Sequence, residues 1–150
     1  MTNLRIGTGY DVHQLKSNLP FLLGGVELIH NKGVVAHSDG DIVFHALSDA
    51  LLGAAALGDI GHFFPDTDPQ YKNMDSSIIL ISVLDELLRL SYKIVNVDIT
   101  IVLERPKLQP IIGAIKKSVA KYLKTQLDQV NIKATTSEKM GFVGKEEGVV

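Results

Sequence analysis

The chain has 150 residues, 45% hydrophobic and 21% charged, with a formal net charge of −2 from 15 basic and 17 acidic side chains. That length suits one compact domain spanning 1–150, and the charge balance gives no broad basic face of the kind that drives nonspecific nucleic-acid binding. Cysteine is absent, which excludes disulfides, thiolate nucleophiles and sulfur-ligated metal and leaves His, Asp and Glu as metal ligands. Apolar runs such as 78–83 are too short to cross a bilayer and the N-terminus has no secretory pattern, so the expectation is a cytoplasmic protein with no membrane or nucleic-acid partner.

Residues 4–9 read as a strand running into Tyr10-Asp11-Val12-His13. Residues 20–23 followed by Gly24-Gly25 read as a second strand and turn, and the two suggest an edge hairpin. From 41 to 57 the composition turns to Ala and Leu, with Ser38 or Asp39 as cap and Gly58 as terminator, which predicts the first helix. Residues 61–69 carry two prolines and three rings and predict a loop. A second helix is predicted over 75–90, after an Asp or Ser cap, with Leu80, Leu84, Leu87 and Leu88 at core spacing.

Val97, Ile99, Ile101 and Leu103 alternate with Asn96, Asp98, Thr100 and Val102 as a strand with one face on a core, and Pro106 stops it. Ile112, Ile115, Val119, Tyr122 and Leu123 mark a third helix, and Val130, Ile132 and Ala134 mark another strand. The order ββααβαβ predicts an α/β (α+β) two-layer domain, one mixed sheet with helices on one face. The opposite sheet face lacks a cover, which makes a symmetric oligomer a reasonable expectation.

Three groups of residues suggest chemistry. Asp11 and His13 lie two apart, so in extended geometry both project from one face toward a single ion. His45 sits one turn into an apolar helix, where an imidazole needs a partner. It reads either as a third ligand oriented by Asp49 one turn on, or as a hydrogen-bonded core histidine. Two nitrogens and one carboxylate with an open position form the ligand set of a catalytic zinc. Ala36-His37-Ser38-Asp39-Gly40-Asp41 precedes a helix, where amides can cradle phosphate with help from His37 and Ser38, or where Ser38 or Asp39 serves as a plain cap. Thr135-Thr136-Ser137-Glu138-Lys139 closes a strand with a dense polar set, and Glu138 there suits a phosphate-bound magnesium or manganese.

Gly9-Tyr10-Asp11-Val12-His13, the Ala36 to Asp41 block, Gly58-Asp59-Ile60-Gly61, Phe64-Pro65-Asp66-Thr67-Asp68 and the Lys133 to Lys139 block, in that order, resemble the 2-C-methyl-D-erythritol 2,4-cyclodiphosphate synthase family over nearly the whole chain. The resemblance implies zinc on Asp11, His13 and His45, and a second divalent ion on Glu138. It implies transition-state stabilisation by His37 and Thr136. Implied substrate contacts are Asp11, Val12, His13, His37, Ser38, Asp59, Ile60, Gly61, Phe64, Pro65, Asp66, Thr67 and Asp68. The cytidine end falls on Leu103, Glu104, Arg105, Pro106, Lys107, Leu108 and Gln109, with Thr135, Thr136, Ser137, Glu138, Phe142 and Lys145. Lys145 stands where many members carry Arg, which keeps the charge but gives up the bidentate fork. Family members also continue past the position of Val150.

The implied reaction is cyclisation of 4-diphosphocytidyl-2-C-methyl-D-erythritol 2-phosphate with release of CMP, a step of the non-mevalonate isoprenoid pathway. It is carried out by a homotrimer with sites between subunits, whose partner is the small cytidine diphosphate substrate. Two other readings stand beside it. One is a zinc-dependent phosphoester hydrolase using Asp49 or Asp66 as base. The other is a metal-stabilised binding domain with His37 or His62 closing the metal's fourth position.

Overall fold

A computed structural model of the chain describes residues 4–65, 68–71 and 73–150. Among the described residues are seven strands and five α-helices, with four strands before the first helix. The strands are β1 (His13–Ser17), β2 (Leu22–Leu23), β3 (Val26–Glu27), β4 (Lys32–Val35), β5 (Val97–Val102), β6 (Val130–Thr135) and β7 (Gly148–Val149). The helices are α1 (Ile42–Ala55), α2 (Ile60–Phe63), α3 (Ser76–Arg89), α4 (Ile112–Leu123) and α5 (Gly141–Gly144).

β1 pairs antiparallel with β4 on one side and β7 on the other, while β5 and β6 pair in parallel from Val97 opposite Val130 to Val102 opposite Thr135. Between these ladders Val102 N–H donates to Val150 O at 2.7 Å and Val150 N–H returns the bond at 3.2 Å. The order β4-β1-β7-β5-β6 is therefore mixed and nearly continuous. β2 and β3 form a separate hairpin whose turn places Gly24 at φ 59 and Gly25 at φ 76. Two left-handed residues in a two-residue loop match the twist of the flanking strands, and Gly adopts that geometry without strain.

One apolar core fills the space between sheet and helices. Ile101 of β5 and Val130 and Ile132 of β6 meet Ile115, Val119 and Leu123 of α4, and Phe21, Leu23 and Phe44 complete the cluster. The opposite face of β5 and β6 carries Asp98, Thr100, Asn131 and Lys133, with Lys133 Nζ 2.7 Å from Asp98 Oδ2. Among the described residues, no helix is long and apolar enough to cross a membrane.

Several local expectations are corrected. Residues 4–10 join no ladder. They run along α1 in the reverse direction, and the contact is too close for side chains: a Cβ on Gly7 would lie 1.8 Å from Ala50 O, and one on Gly9 would lie 1.7 Å from Ala46 O. The first strand begins only at His13. β4 and β7 went unread because four and two residues give too little alternation to stand out. The loop expected over 61–69 is shorter at both ends, since α2 takes residues 61–63 and a 3-10 turn over Pro69–Tyr71 begins at its last residue.

The cap of α1 is neither Ser38 nor Asp39 but Asp41, and the helix ends on Ala56 in the left-handed region, before Gly58. Asp41 is fully buried. Its Oδ1 accepts from Gly24, Val43 and Phe44 N–H at 2.8, 3.1 and 3.2 Å, and its Oδ2 accepts from Gly25 N–H at 2.6 Å. One carboxylate thus caps α1 and fastens the β2–β3 turn to it. Asp41→Asn preserves Oδ1 but turns an amide donor toward the Gly25 N–H. We expect a loss of about 1–3 kcal/mol in urea unfolding, the cost of an unsatisfied buried donor; an unchanged midpoint would contradict this role.

Candidate metal centre and cavity

β1 and β4 register Gln14 opposite Val35, so the chain leaving β4 carries His37 and Ser38 past the start of β1. Asp11 and His13 reach inward from that start. His45, one turn into α1, meets them: its Nδ1 lies 3.1 Å from Asp11 Oδ2, and His13 Nδ1 lies 3.1 Å from the same oxygen. The two rings are 5.3 Å apart between centroids. One ligand atom from each of the three residues falls within 4.8 Å of the others, a group of a kind that can hold a metal ion. Burial works against ionisation of Asp11, but the two imidazoles beside it outweigh burial and hold its carboxyl well below the usual carboxylate range.

The hydrogen bonding fits a cation. Ser76 Oγ lies 2.8 Å from His45 Nε2 and donates its own proton to Asp39 Oδ1, so the serine oxygen accepts and Nε2 carries hydrogen. In the neutral ring this leaves Nδ1 as a lone pair facing an ionised oxygen at 3.1 Å, an arrangement of two acceptors that a positive ion between them satisfies. His13 Nδ1 is buried and makes no hydrogen bond of good geometry. Such an orphan also calls for a ligand role. Asp49 does not orient His45 as expected; its Oδ1 takes the Ile60 N–H at 2.8 Å and anchors the start of α2. Ser76 and Ser38, with Ser38 Oγ at 3.3 Å, face Nε2 instead. Nothing local marks Ser76 beyond a capping role, because its partner His45 is 31 residues away.

Beside this group opens a cavity of about 430 Å³, lined by His13, His37, Ser38 and His45 and walled by Ile60, Gly61, Phe64, Pro65, Tyr71 and Met74. Phe64 and Tyr71 meet edge to face at 5.4 Å. Asp59 caps α2 by accepting the His62 N–H at 3.0 Å, and Asp68 holds Gln70 through both carboxylate oxygens. Both acids thus shape the wall. Val12 is half-exposed beside the triad. Asp66 and Thr67 lie outside the described residues. His62 packs on Phe63 and does not line the cavity, so it is not a fourth ligand in this arrangement.

The remaining candidates gather elsewhere. The turn after β6 places Glu138 at φ 53 and Lys139 at φ 61, which directs the Ser137 and Lys139 N–H groups at Glu104 Oε1, each at 3.1 Å. Ser137 Oγ reaches the same oxygen at 3.3 Å, and Thr136 Oγ1 donates to Glu138 Oε1 at 3.5 Å. Thr135 Oγ1 turns to the Thr136 carbonyl. Leu103 and Leu108 are buried, so their side chains anchor this loop rather than face a ligand, while Arg105, Lys107 and Gln109 are exposed and Pro106 half-buried. Lys145 and Phe142 are exposed on and after α5. None of 103–109 or 135–138 lines the cavity. The candidates therefore form two groups on the one chain.

Residues 4–150 match the model of the YgbB family. Over 146 residues the chain is 56% identical to the 2-C-methyl-D-erythritol 2,4-cyclodiphosphate synthase of Pseudomonas savastanoi pv. phaseolicola, covering 97% of this chain and 93% of that protein. Among solved structures it superposes on a 2-C-methyl-D-erythritol-2,4-cyclodiphosphate synthase in a CDP-bound form with TM-score 0.89 and 36% identity, over 97% of this chain and 94% of that one. It also superposes on the bifunctional IspDF of Campylobacter jejuni with TM-score 0.92 and 42% identity. There the match covers 97% of this chain and spans 39% of the larger one.

Glu104 yields a pH test of the second group. Backbone donation from Lys139, followed by that from Ser137, holds its carboxyl below its ordinary value of 4.5. The clamp is therefore complete above that value and loosens as pH falls through the lowered one. The Ser137 and Lys139 amide resonances should titrate together in that acid window, and in Glu104→Gln they should not.

Proposed function

The chain belongs to the YgbB family, and from that premise we propose that it cyclises 4-diphosphocytidyl-2-C-methyl-D-erythritol 2-phosphate to 2-C-methyl-D-erythritol 2,4-cyclodiphosphate with release of CMP. It would do so as a single catalytic domain in the cytoplasm, within the non-mevalonate route to isoprenoids. The observation that carries this reading is the Asp11–His13–His45 group opening onto a cavity flanked by His37 and Ser38.

In the reaction an oxygen of the 2-phosphate attacks the β-phosphorus in line, a new P–O bond closes the ring, and the bridging P–O bond breaks so that its electron pair leaves with CMP. No protein nucleophile is required, so the chain's contribution is positioning and electrostatics. Asp11, His13 and His45 would hold zinc, and Glu138 a magnesium or manganese ion. Such ions supply Lewis-acid neutralisation of the phosphate charge that otherwise repels the attack. His37 and Thr136 would donate to phosphate oxygens as charge builds, and Ser38 would fix one phosphate beside the start of α1. The cavity wall at Ile60, Gly61, Phe64 and Pro65, with Asp59, Asp66, Thr67 and Asp68 beside it in sequence, would take the ribose and the methylerythritol chain. Residues 103–109, with Thr135, Ser137, Phe142 and Lys145, would take the cytidine end and its diphosphate.

The two groups of candidates on this chain support a site completed between copies, and we propose a homotrimer. Ile6 and Tyr10, 85% and 68% exposed on the side of their segment turned away from α1, offer apolar surface for such packing. Of the two bases a hydrolytic reading would use, Asp49 already accepts the Ile60 N–H, and Asp66 lies outside the described residues.

The decisive assay incubates the protein with the CDP-linked 2-phosphate and Mg²⁺ and follows phosphorus NMR. A cyclic diphosphate and CMP that vanish with a zinc chelator are expected, whereas a linear product would establish hydrolysis instead. His45→Ala should lose metal and activity, and Glu138→Gln should weaken dependence on the second ion. Dissociated and reassembled as an equal mixture, the two variants should regain about a quarter of wild-type activity, since that share of interfaces joins one intact half from each. No regain would mean that each copy holds its own complete site.

A further inference from the structure

Asp39 and Ser76 have no part in the reaction as proposed, yet they end in a bond to His45. Asp39 is held from several sides. Its Oδ1 accepts the Asp41 N–H at 3.1 Å as well as the Ser76 hydroxyl, its Oδ2 accepts the Ser76 N–H at 3.1 Å, and its own N–H donates to Met74 O at 3.1 Å. Ser76 is fully buried and His45 is 7% exposed, so water does not compete for the contact between them.

A serine hydroxyl has one proton. Once that proton is committed to a carboxylate, the oxygen can only accept along its 2.8 Å contact with His45 Nε2. Ser38 Oγ, 3.3 Å from Nε2, offers a second acceptor. On the other side of the ring, Nδ1 faces Asp11 Oδ2 at 3.1 Å. If the neutral ring carried its proton on Nδ1, it would donate to Asp11. One hydrogen bond would then block two of the three ligand atoms. The ionised Asp11 favours that self-blocked form, and only an acceptor at Nε2 opposes it.

We infer that Asp39 and Ser76 are positioning residues that set the tautomer of His45, holding the ring proton on Nε2 so that Nδ1 stays bare toward a divalent cation shared with Asp11 and His13. The inference rests on the metal reading of that triad and adds the device that keeps it open. A carboxylate behind a metal-bound imidazole commonly fixes its tautomer directly. Here a serine stands between, and the hydroxyl passes on the carboxylate's demand for a proton. The same Asp39 fastens the first residue of α3, so the tautomer and the placement of that helix depend on one side chain.

The test needs no substrate. Nitrogen-15 NMR of the metal-free protein in alkaline buffer should show the His45 proton on Nε2, and chelator competition with Zn²⁺ alone gives the affinity. Ser76→Ala keeps the backbone bond to Asp39 but removes the acceptor, so the proton should move to Nδ1 and Zn²⁺ affinity should fall on the order of 10–100-fold. Ser76→Thr should restore both. Asp39→Ala leaves Ser76 in place but frees its proton to donate to Nε2, and should shift the tautomer the same way. Folded Ser76→Ala or Asp39→Ala protein with the proton still on Nε2 and unchanged Zn²⁺ affinity overturns the inference alone. Wild-type protein that takes up no Zn²⁺ overturns the metal reading and this inference together. Zn²⁺ bound as described without cyclisation overturns only the proposed reaction.

Discussion

A carboxylate sealed from water joins the start of α1 to the turn of the β2–β3 hairpin. Burial pushes the Asp41 carboxyl up, and the amides of Gly25, Gly24 and Phe44 pull against that push. Such a group is tolerated only with its acceptor sites filled, so the helix and the hairpin form together or neither is satisfied. His45 is one turn beyond this anchor, its N–H bonded to the Asp41 carbonyl at 3.1 Å. The direction in which its imidazole points therefore depends on two glycines of the β2–β3 turn. On the other side, the short register of β1 against β4 and β7 places Asp11 and His13, and the three side chains meet where these two constraints intersect.

Much of this was visible in the residues alone, for reasons that differ by element. α3 and α4 follow apolar spacing, and the Asp75 cap sits where the pattern begins. β5 shows through strict alternation. Asp11 and His13 could be paired because a spacing of two means a common face in extended chain, and His45 stood out as a polar ring on an apolar helix. Ser38 and Asp39 compete with Asp41 as caps. Three candidates within four residues cannot be ranked until the backbone shows which one has extended geometry, and the winner's second task, at Gly24 and Gly25, lies 17 and 16 residues away. The same distance effect hides Ser76 behind its capping position and hides the clamp that Glu104 makes on Ser137 and Lys139, 33 and 35 residues away.

The candidate site residues fall in two territories. Imidazoles and a carboxylate cluster on the α1 side, while Thr136, Glu138 and the clamp of Glu104 sit at the ends of β5 and β6. A substrate carrying several phosphates needs both kinds of partner. Under the proposed function each copy supplies one kind to a neighbour on either side. That arrangement explains why a chain of this size can serve a long, highly charged molecule from a cavity that accounts for only part of it. It also ties chemistry to assembly, because an isolated copy would hold metal without completing the nucleotide end.

Gly7 and Gly9 lie against α1 with backbone touching backbone and no layer of side chains between. In most packed interfaces such a layer acts as a gasket, and its members trade volume as sequences drift. This one has no gasket. The segment leading to Asp11 and the helix carrying His45 thus behave as a machined joint whose spacing the two backbones alone set. Repacking elsewhere in the core can tilt the joint but not open it. The opposite wall, built from Phe64, Pro65 and Tyr71 on short turns, has no such restriction, so a substitution there can reshape the cavity while the ligand corner stays fixed.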